Sequence, residues 1–299
     1  MIPRTDTRFE RPPWSDALIR PGTEQPALRF EKMPNKGAQF ARMPQISRSL
    51  LAAFNWYSRH YLRRHFHSLR VSRMGFPPQC PGWPIVVYAN HASWWDPLVF
   101  LALRAEFYPG RCAFAPMDAA MLGRYPLFRR LGFFAVEQHT SRGAVQFLES
   151  AKAVLESPRS LLAVTPQGRF ADPRERPLRF APGLGYLAVS VCAGQFVPVA
   201  IEYAFWEERL PEIFVRFGRP VEVQRSSRAG ASPQFWTAAF EDKLAETQEA
   251  LALEVQRRKS ADFQTLFRGG AGQGGIYDWW RFLKAKLNGQ PFQKEHGNK

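Results

Sequence analysis

The residues with the clearest capacity for chemistry lie in the segment Asn90-His91-Ala92-Ser93-Trp94-Trp95-Asp96-Pro97. A turn here can bring Asp96 back onto the imidazole of His91, where the carboxylate would accept the Nδ1 proton. The other ring nitrogen, Nε2, is then a general base. The sequence contains no Gly-x-Ser-x-Gly nucleophile motif, so the base would activate a substrate hydroxyl. The alternative is a structural turn in which His91 only bonds to backbone.

Strand and helix signals on either side would hold this turn at the edge of a sheet. Residues 84–89 form an apolar run typical of a buried strand, and Pro97 suits the first turn of a helix. Further patterns predict strands at 161–164, 197–202 and 215–223, and helices at 141–157 and 233–259. Strands that alternate with helices predict an α/β fold, and such folds place ligands at strand-to-helix turns.

Composition bounds the class of protein. The chain has 299 residues, of which 45% are hydrophobic, which is enough for a sizeable core and excludes wholesale disorder. Cys80, Cys112 and Cys192 show no CxxC spacing, which indicates a reducing compartment rather than a disulfide scaffold. We expect no secretory signal and no membrane-spanning helix, because no uninterrupted run of eighteen apolar residues occurs. Any membrane contact should therefore be peripheral.

The net charge predicts an anionic partner. The chain carries 41 Lys and Arg against 26 Asp and Glu, giving a formal charge of +15. Nucleic acid, an anionic membrane or an acidic protein would each be attracted. Because we find no helix-turn-helix, zinc-finger or ribonucleoprotein motif, we expect no nucleic acid partner. Liposome pelleting compared with filter binding on DNA and RNA would separate these classes.

Residues 47–75 are predicted to form a basic amphipathic helix. Leu50, Phe54, Tyr57 and Tyr61 recur at helical spacing, and arginines fill much of the remaining surface. Such a helix can lie in a lipid interface, or it can pack its rings on the core and leave its arginines in water. A second aromatic and basic segment lies at 276–287. The residues that we expect to associate with a membrane are Trp56, Tyr57, Arg63, Arg64, Trp279 and Trp280.

The chain divides on these patterns into five segments. They are a Pro/Arg-rich tail (1–46), the amphipathic helix (47–75), an α/β core (76–225), a C-terminal helix that packs on the core (226–262), and a glycine linker with a basic aromatic tail (263–299). The glycines at 268–275 lack the preceding strand and the following Lys-Ser/Thr of a phosphate loop. His60, His65 and His67 have no acidic or cysteine ligand beside them, so we expect no metal site.

Four blocks in order resemble the glycerolipid acyltransferase superfamily, which includes the bacterial 1-acylglycerol-3-phosphate acyltransferases. They are Asn90-His91-x4-Asp96, Gly132-Phe133-Phe134-Ala135-Val136, Pro166-Gln167-Gly168 and Val197-Pro198-Val199-Ala200-Ile201. The resemblance covers roughly residues 85–205. It implies a mixed sheet flanked by helices, with His91 as the general base and Asp96 as its partner. It further implies that the acyl donor is a thioester of coenzyme A or acyl carrier protein, with no cofactor.

Departures from the family pattern concern the acceptor. The family usually has Arg where Gln138 stands, and Pro-Glu-Gly-Thr-Arg where this chain has Pro166-Gln167-Gly168-Arg169-Phe170. The lysine of the family's Phe-Lys-x-Gly is also missing, because Ala181 takes its place. Those cations are thought to hold the acceptor's phosphate, and a neutral Gln makes no charge-assisted contact. The candidate substrate-binding residues are Asn90, Ser93, Gln138, Arg142, Pro166, Gln167, Gly168 and Arg169.

The resulting hypothesis is an O-acyltransferase that acts on a hydroxyl of a membrane lipid, such as a glycosylated or hydroxylated lipid. Its partners would be an anionic membrane surface, the lipid acceptor and the acyl thioester, which acyl carrier protein could carry. It would lie in the cytoplasm on the inner face of the cell membrane. A lysophosphatidate acyltransferase of phospholipid synthesis is the nearest alternative. A non-catalytic lipid- or nucleic-acid-binding protein is the alternative from another class, and a thioester-consumption assay discriminates it.

Overall fold

The computed structural model describes residues 44–75, 77, 82–224 and 230–271. The helices are α1 (Arg48–His65), α2 (Asp96–Phe107), α3 (Ala119–Arg124), α4 (Ser141–Leu155), α5 (Gly183–Ser190) and α6 (Pro233–Arg257), with 3-10 helices at Pro126–Leu131 and Ser260–Asp262. The strands are β1 (Ser68–Ser72), β2 (Ile85–Ala89), β3 (Cys112–Asp118), β4 (Phe133–Val136), β5 (Ser160–Val164), β6 (Ala193–Ala204), β7 (Glu212–Phe217), β8 (Val221–Gln224) and β9 (Phe263–Arg268).

In the described part of the chain, nine strands form one mixed sheet, which confirms the predicted α/β class. The order is β4-β3-β5-β2-β6-β7-β1-β9, and β8 pairs with the first half of β6. The strands β4, β3, β5, β2 and β6 are mutually parallel. Their carboxyl ends therefore share one edge of the sheet, and the loops that carry the first and third sequence blocks leave from that edge. The second and fourth blocks lie in β4 and β6 themselves.

Helices cover both faces of the sheet. On one face, Val86 and Tyr88 of β2 belong to a core that includes Phe240 of α6. On the other face, Ile85 and Val87 belong to a core that includes residues of α1 and α2. This alternation of side chains along a strand that is buried on both sides explains why residues 84–89 read as one continuous apolar run.

Two helices approach closely on the first face because of one glycine. A Cβ at Gly185 of α5 would lie 2.1 Å from the carbonyl oxygen of Pro233 at the start of α6.

No described helix is both long and apolar enough to cross a bilayer.

The N-terminal helix is shorter than predicted. It ends at His65, where the N–H of Phe66 donates to the carbonyl of Leu62 and the backbone becomes extended. Residues 68–72 are not helical but form β1, which pairs with β7 and β9. In the sequence, the helical spacing of apolar residues continues through Phe66 and Leu69. The agreement is a coincidence, because both faces of β1 are buried and pairing with the neighbouring strands decides its conformation.

The C-terminal side also differs from the predicted division. Residues 263–268, assigned to a linker and tail, are β9 and lie antiparallel to β1 at the edge of the sheet. The single strand predicted at 215–223 is two strands, β7 and β8. Trp279, Trp280 and the rest of the predicted aromatic tail lie outside the described residues.

Candidate active site

Asn90 fixes the turn that follows β2. Its side-chain amide donates to the carbonyl oxygen of Ile201 at 2.9 Å and accepts from the N–H of the same residue at 2.9 Å. Asn90 is buried, so both of its polar groups are used to tie the end of β2 to β6. Asn90 thus positions the turn that carries His91, and its contact with substrate stays a prediction.

The turn brings His91 and Asp96 together. The Nδ1 atom of His91 lies 2.7 Å from Oδ2 of Asp96, and the backbone N–H of Ser93 donates to the same oxygen at 3.1 Å. Asp96 is the first residue of α2, where unpaired N–H groups of the helix favour a carboxylate. Because an ionised carboxylate only accepts, Nδ1 carries the proton and Nε2 is the basic nitrogen.

Ser93 also has a structural role in this turn. Its hydroxyl accepts from the N–H of Trp95 at 3.3 Å, in addition to the backbone bond to Asp96. These bonds shape the loop that carries His91. The predicted contact of Ser93 with substrate stays a prediction.

A tyrosine holds the second oxygen of Asp96. The hydroxyl of Tyr203, near the end of β6, donates to Oδ1 of Asp96 at 2.6 Å. Burial raises the pKa of Tyr203 well above its usual range, and the charge of Asp96 adds to this effect. The phenol therefore stays protonated and remains a donor. With both oxygens held, the carboxylate cannot rotate away from the imidazole.

Phe170 covers one face of the imidazole. The two ring centroids are 4.3 Å apart, and the N–H of Ala171 donates to the carbonyl of His91 at 2.9 Å. The Phe170 side chain is 58% exposed, whereas that of His91 is 21% exposed. An apolar ring thus stands beside the basic nitrogen at the sequence position where the resembled family has arginine.

We predict that Tyr203→Phe lowers kcat about tenfold, the lower end of the effect of one hydrogen bond to a charged group, which is worth roughly 1.5–3 kcal/mol. The fold should persist, because only the hydroxyl is removed. Steady-state acyl transfer with a thioester donor measures the change. Tyr88→Phe is the matched control: Tyr88 is a buried tyrosine on β2 whose hydroxyl bonds to no described residue. An equal loss in both variants would contradict the role assigned to Tyr203.

The third block is built into the loop rather than presented to solvent. Oε1 of Gln167 accepts from the N–H of His91 at 3.4 Å, and its Nε2 donates to the carbonyl of Leu178 at 3.1 Å. Pro166 is buried, and its carbonyl accepts from Ala181. Both residues shape the loop beside His91, and their binding of substrate stays a prediction. Gly168 adopts φ +66°, which allows the turn there.

The arginines near the third block face carboxylates. Arg169, a predicted substrate-binding residue, forms an ion pair with Glu175. The hydrogen bond from Arg169 lowers the pKa of the Glu175 carboxyl, so the pair stays charged. Arg174 pairs with Asp172 in the same loop at 2.7 Å, and Arg176 lies 3.9 Å from Glu249 of α6. An incoming phosphate would have to compete with these carboxylates.

The second block lies on the same edge of the sheet but farther along it. Gln138 follows β4, which is three strands from β2, a distance of about 14 Å at 4.8 Å per strand. Arg142, the second residue of the neighbouring helix α4, is exposed and lies 3.6 Å from Glu137. The structure therefore does not bring Gln138 or Arg142 into contact with His91.

Sequence reasoning missed Tyr203 and Phe170. Tyr203 stands 107 positions from Asp96, so no local pattern links them. A signal existed for Phe170, which occupies the position of the family's arginine in the third block.

The predicted membrane-associating residues on α1 lie on its outer side. The helix buries Leu51, Ser58 and Leu62. Trp56, Tyr57, Arg63 and Arg64 are exposed, although the Arg63 guanidinium also lies 5.9 Å from the ring of Phe267. The helix thus packs one side on the core and presents its large rings and arginines on the other.

Comparison with known proteins identifies the class of protein. Residues 64–202 match the family model described as Acyltransferase, a range that includes β1, β2 and most of β6. The protein is thus an acyl-transferring enzyme. Over these residues, which are just under half of the chain, it is similar to the acyltransferase family.

The chain was also compared with curated proteins and with solved structures. A search of curated proteins finds no match. Among solved structures, the chain is similar to the 1-acyl-sn-glycerophosphate (LPA) acyltransferase PlsC from Thermotoga maritima, with 15% identity and a TM-score of 0.46. The match covers 70% of this chain and 80% of that chain.

Proposed function

We propose that the protein transfers a fatty acyl group from a thioester of coenzyme A or acyl carrier protein to a hydroxyl of a membrane lipid. The observation that carries this proposal is the 2.7 Å contact between His91 Nδ1 and Asp96 Oδ2. It leaves Nε2 as a base at the carboxyl edge of the sheet, beside the partly exposed ring of Phe170. The acyltransferase family match of residues 64–202 supports the reaction type.

In the proposed mechanism, Nε2 of His91 takes the proton of the acceptor hydroxyl as its oxygen attacks the thioester carbonyl. A C–O bond forms, and the carbonyl oxygen becomes a tetrahedral oxyanion. Asp96 stabilises the imidazolium. The C–S bond then breaks, and the imidazolium returns its proton to the leaving thiolate. The products are an ester and a free thiol, and no acyl-enzyme is formed.

The proposed acceptor is a lipid whose reacting end is uncharged, such as a glycosylated or hydroxylated lipid. Phe170 occupies the family's arginine position and contacts the imidazole, while Arg169 is paired with Glu175. Both features remove cations that a phosphate would use. The alternative, a lysophosphatidate, is favoured by one observation: Arg142 is exposed and only loosely paired, 3.6 Å from Glu137.

An acceptor comparison tests this proposal. With one acyl thioester, kcat/KM for a glycosylated lipid should exceed that for lysophosphatidate by about tenfold or more, since one charge-assisted contact is worth roughly that factor. The variant Phe170→Arg should raise kcat/KM for lysophosphatidate and so reduce the ratio of kcat/KM between the two acceptors. Efficient, saturable use of lysophosphatidate by the unaltered enzyme would contradict the proposed acceptor and leave the acyltransferase assignment in place.

We further propose that the enzyme works at an anionic membrane surface, on the inner face of the cell membrane. Exposed Trp56 and Tyr57 and the neighbouring Arg63 and Arg64 of α1 suit a lipid interface, where rings sit at headgroup depth and arginines reach phosphates. Cosedimentation with anionic vesicles, compared with neutral ones, tests this association.

A further inference from the structure

A second exposed apolar surface lies between β3 and β4. Helix α3 and the following 3-10 helix, Pro126–Leu131, bury Leu122 and Leu131 but leave three large apolar side chains in solvent. Met121 is 47% exposed, Tyr125 44% and Leu127 53%. Exposed large apolar side chains that cluster on one short segment indicate a contact surface, whereas single scattered ones do not.

The same segment is strongly basic. Arg124, Arg129 and Arg130 are exposed, and the Arg124 guanidinium lies 5.5 Å from the ring of Tyr125. No acidic residue occurs between Asp118 and Glu137. We call these six residues, Met121, Arg124, Tyr125, Leu127, Arg129 and Arg130, the α3 surface. Apolar side chains rimmed by arginines are suited to an interface that offers hydrocarbon and negative charge together.

Aromatic contacts join the α3 surface to α1. The ring of Phe128 lies 6.2 Å from Tyr125 and 6.2 Å from Phe54 of α1, and Phe54 stacks with Tyr57 at 6.2 Å. The N–H of Ser47 donates to the carbonyl of Arg130 at 2.9 Å, which fixes the start of α1 beside this segment. The α3 surface and the exposed rings of α1 are therefore parts of one continuous surface.

This surface continues to the catalytic turn. Tyr61 of α1 lies 6.4 Å from Trp94 and 5.3 Å from Trp95, ring to ring. Trp94 is itself exposed and stands three residues from His91. A bilayer bound across α1 and the α3 surface would therefore meet the protein beside the proposed base.

We infer that the α3 surface is a second element that docks the enzyme on an anionic phospholipid bilayer, which rests on the proposed membrane-lipid acceptor. The choice of partner follows from chemistry. Arginines alone would attract an acidic protein, whereas exposed Met121, Tyr125 and Leu127 beside the arginines favour a partner that offers hydrocarbon and negative charge together. Together with α1, it provides two points of attachment that orient the active-site mouth toward lipid.

The test is vesicle cosedimentation of the full chain with Leu127→Glu. Binding to vesicles of phosphatidylcholine and phosphatidylglycerol should fall about tenfold or more, from lost burial of one leucine and repulsion by the new charge. Leu253→Glu is the matched control, because Leu253 is 54% exposed on α6, away from this surface. It should bind as the unaltered protein does.

A second variant tests the arginines of the α3 surface. Arg129→Gln with Arg130→Gln should weaken binding to the anionic vesicles by about fivefold per arginine and leave binding to pure phosphatidylcholine unchanged. Equal binding by Leu127→Glu and the unaltered protein would overturn the inference. So would an equal loss in Leu253→Glu, or a failure of the unaltered protein to bind vesicles.

Activity in detergent separates this inference from the proposed function. With a detergent-dispersed acceptor, Leu127→Glu should keep the kcat of the unaltered enzyme, because no catalytic residue is touched. Absence of activity in the unaltered enzyme would refute the acyl-transfer proposal. Unchanged vesicle binding by Leu127→Glu would refute only the docking surface. If the arginine variant lost turnover of acyl carrier protein thioesters yet bound vesicles normally, the surface would be assigned to that acidic protein instead.

Discussion

The variant His91→Ala should lose acyl transfer by about a thousandfold or more, the upper part of the range for a general base. Its imidazole is the group that would take the acceptor's proton, and no second described base contacts Asp96. Thioester consumption, followed as free thiol release with and without acceptor lipid, measures the loss.

The fold should survive this change. After loss of the imidazole, the Asp96 carboxylate still accepts from the Ser93 N–H and the Tyr203 hydroxyl. We expect the free energy of unfolding to change by about 1 kcal/mol or less, measured by denaturant titration. The matched control is His60→Ala, an exposed histidine of α1, which should remain active. Activity of His91→Ala within about tenfold of the unaltered enzyme would refute its role as the base.

The sequence predicted those elements whose signal is local. The strand at 84–89, the helix at 141–157 and the helix at 233–259 correspond closely to β2, α4 and α6. Each has its own periodicity and its own boundary, such as Thr140 and Ser232, whose side chains cap α4 and α6. Elements of this kind can be read without knowledge of their neighbours.

Elements defined by distant partners were missed. β1 and β9 are adjacent in the sheet although they lie nearly 200 positions apart, and each is short. Arg70 in β1 is buried because it forms an ion pair with Glu212 of β7. A charged residue in a buried strand contradicts the ordinary pattern, so composition alone could not assign this segment to the sheet.

The contacts of the candidate site were likewise predictable only where the residues lie close together in sequence. His91 and Asp96 are five residues apart, so a turn could be expected to join them, and the structure places them in contact. Tyr203 reaches Asp96 only through the pairing of β2 with β6. Asn90, Gln167 and Ser93 lie near His91 and hold its loop through hydrogen bonds, and their contact with substrate stays a prediction.

The basic residues behind the net charge of +15 have different surroundings in two parts of the molecule. No acidic residue occurs between Glu31 and Asp96, so the arginines of α1 lack local carboxylates. The loop after the third block, in contrast, supplies Asp172 and Glu175 to its own arginines. The charges that would attract an anionic surface are therefore separate from those beside the proposed acceptor site.

The variant Asp96→Asn should lose about a hundredfold in kcat, less than His91→Ala. The reason lies in which side of the amide faces the imidazole. Its NH2 group cannot face His91, because the Ser93 N–H already points at that position and two donors would meet. The amide oxygen must take that side, which preserves the tautomer of His91. Only the stabilising charge on the imidazolium is lost, worth roughly 3 kcal/mol.

Tyr203 makes this orientation possible. Its hydroxyl can turn and accept a hydrogen bond from the Asn NH2 group, at the position where it now donates to Oδ1. Adding Tyr203→Phe to Asp96→Asn should therefore cost less than the tenfold expected for Tyr203→Phe alone, since the bond then removed joins two neutral groups. Asp118→Asn, at the cap of α3, controls for loss of a carboxylate on the same edge of the sheet. A loss in Asp96→Asn as large as that in His91→Ala would mean that the tautomer had inverted, contrary to the geometry set by Ser93.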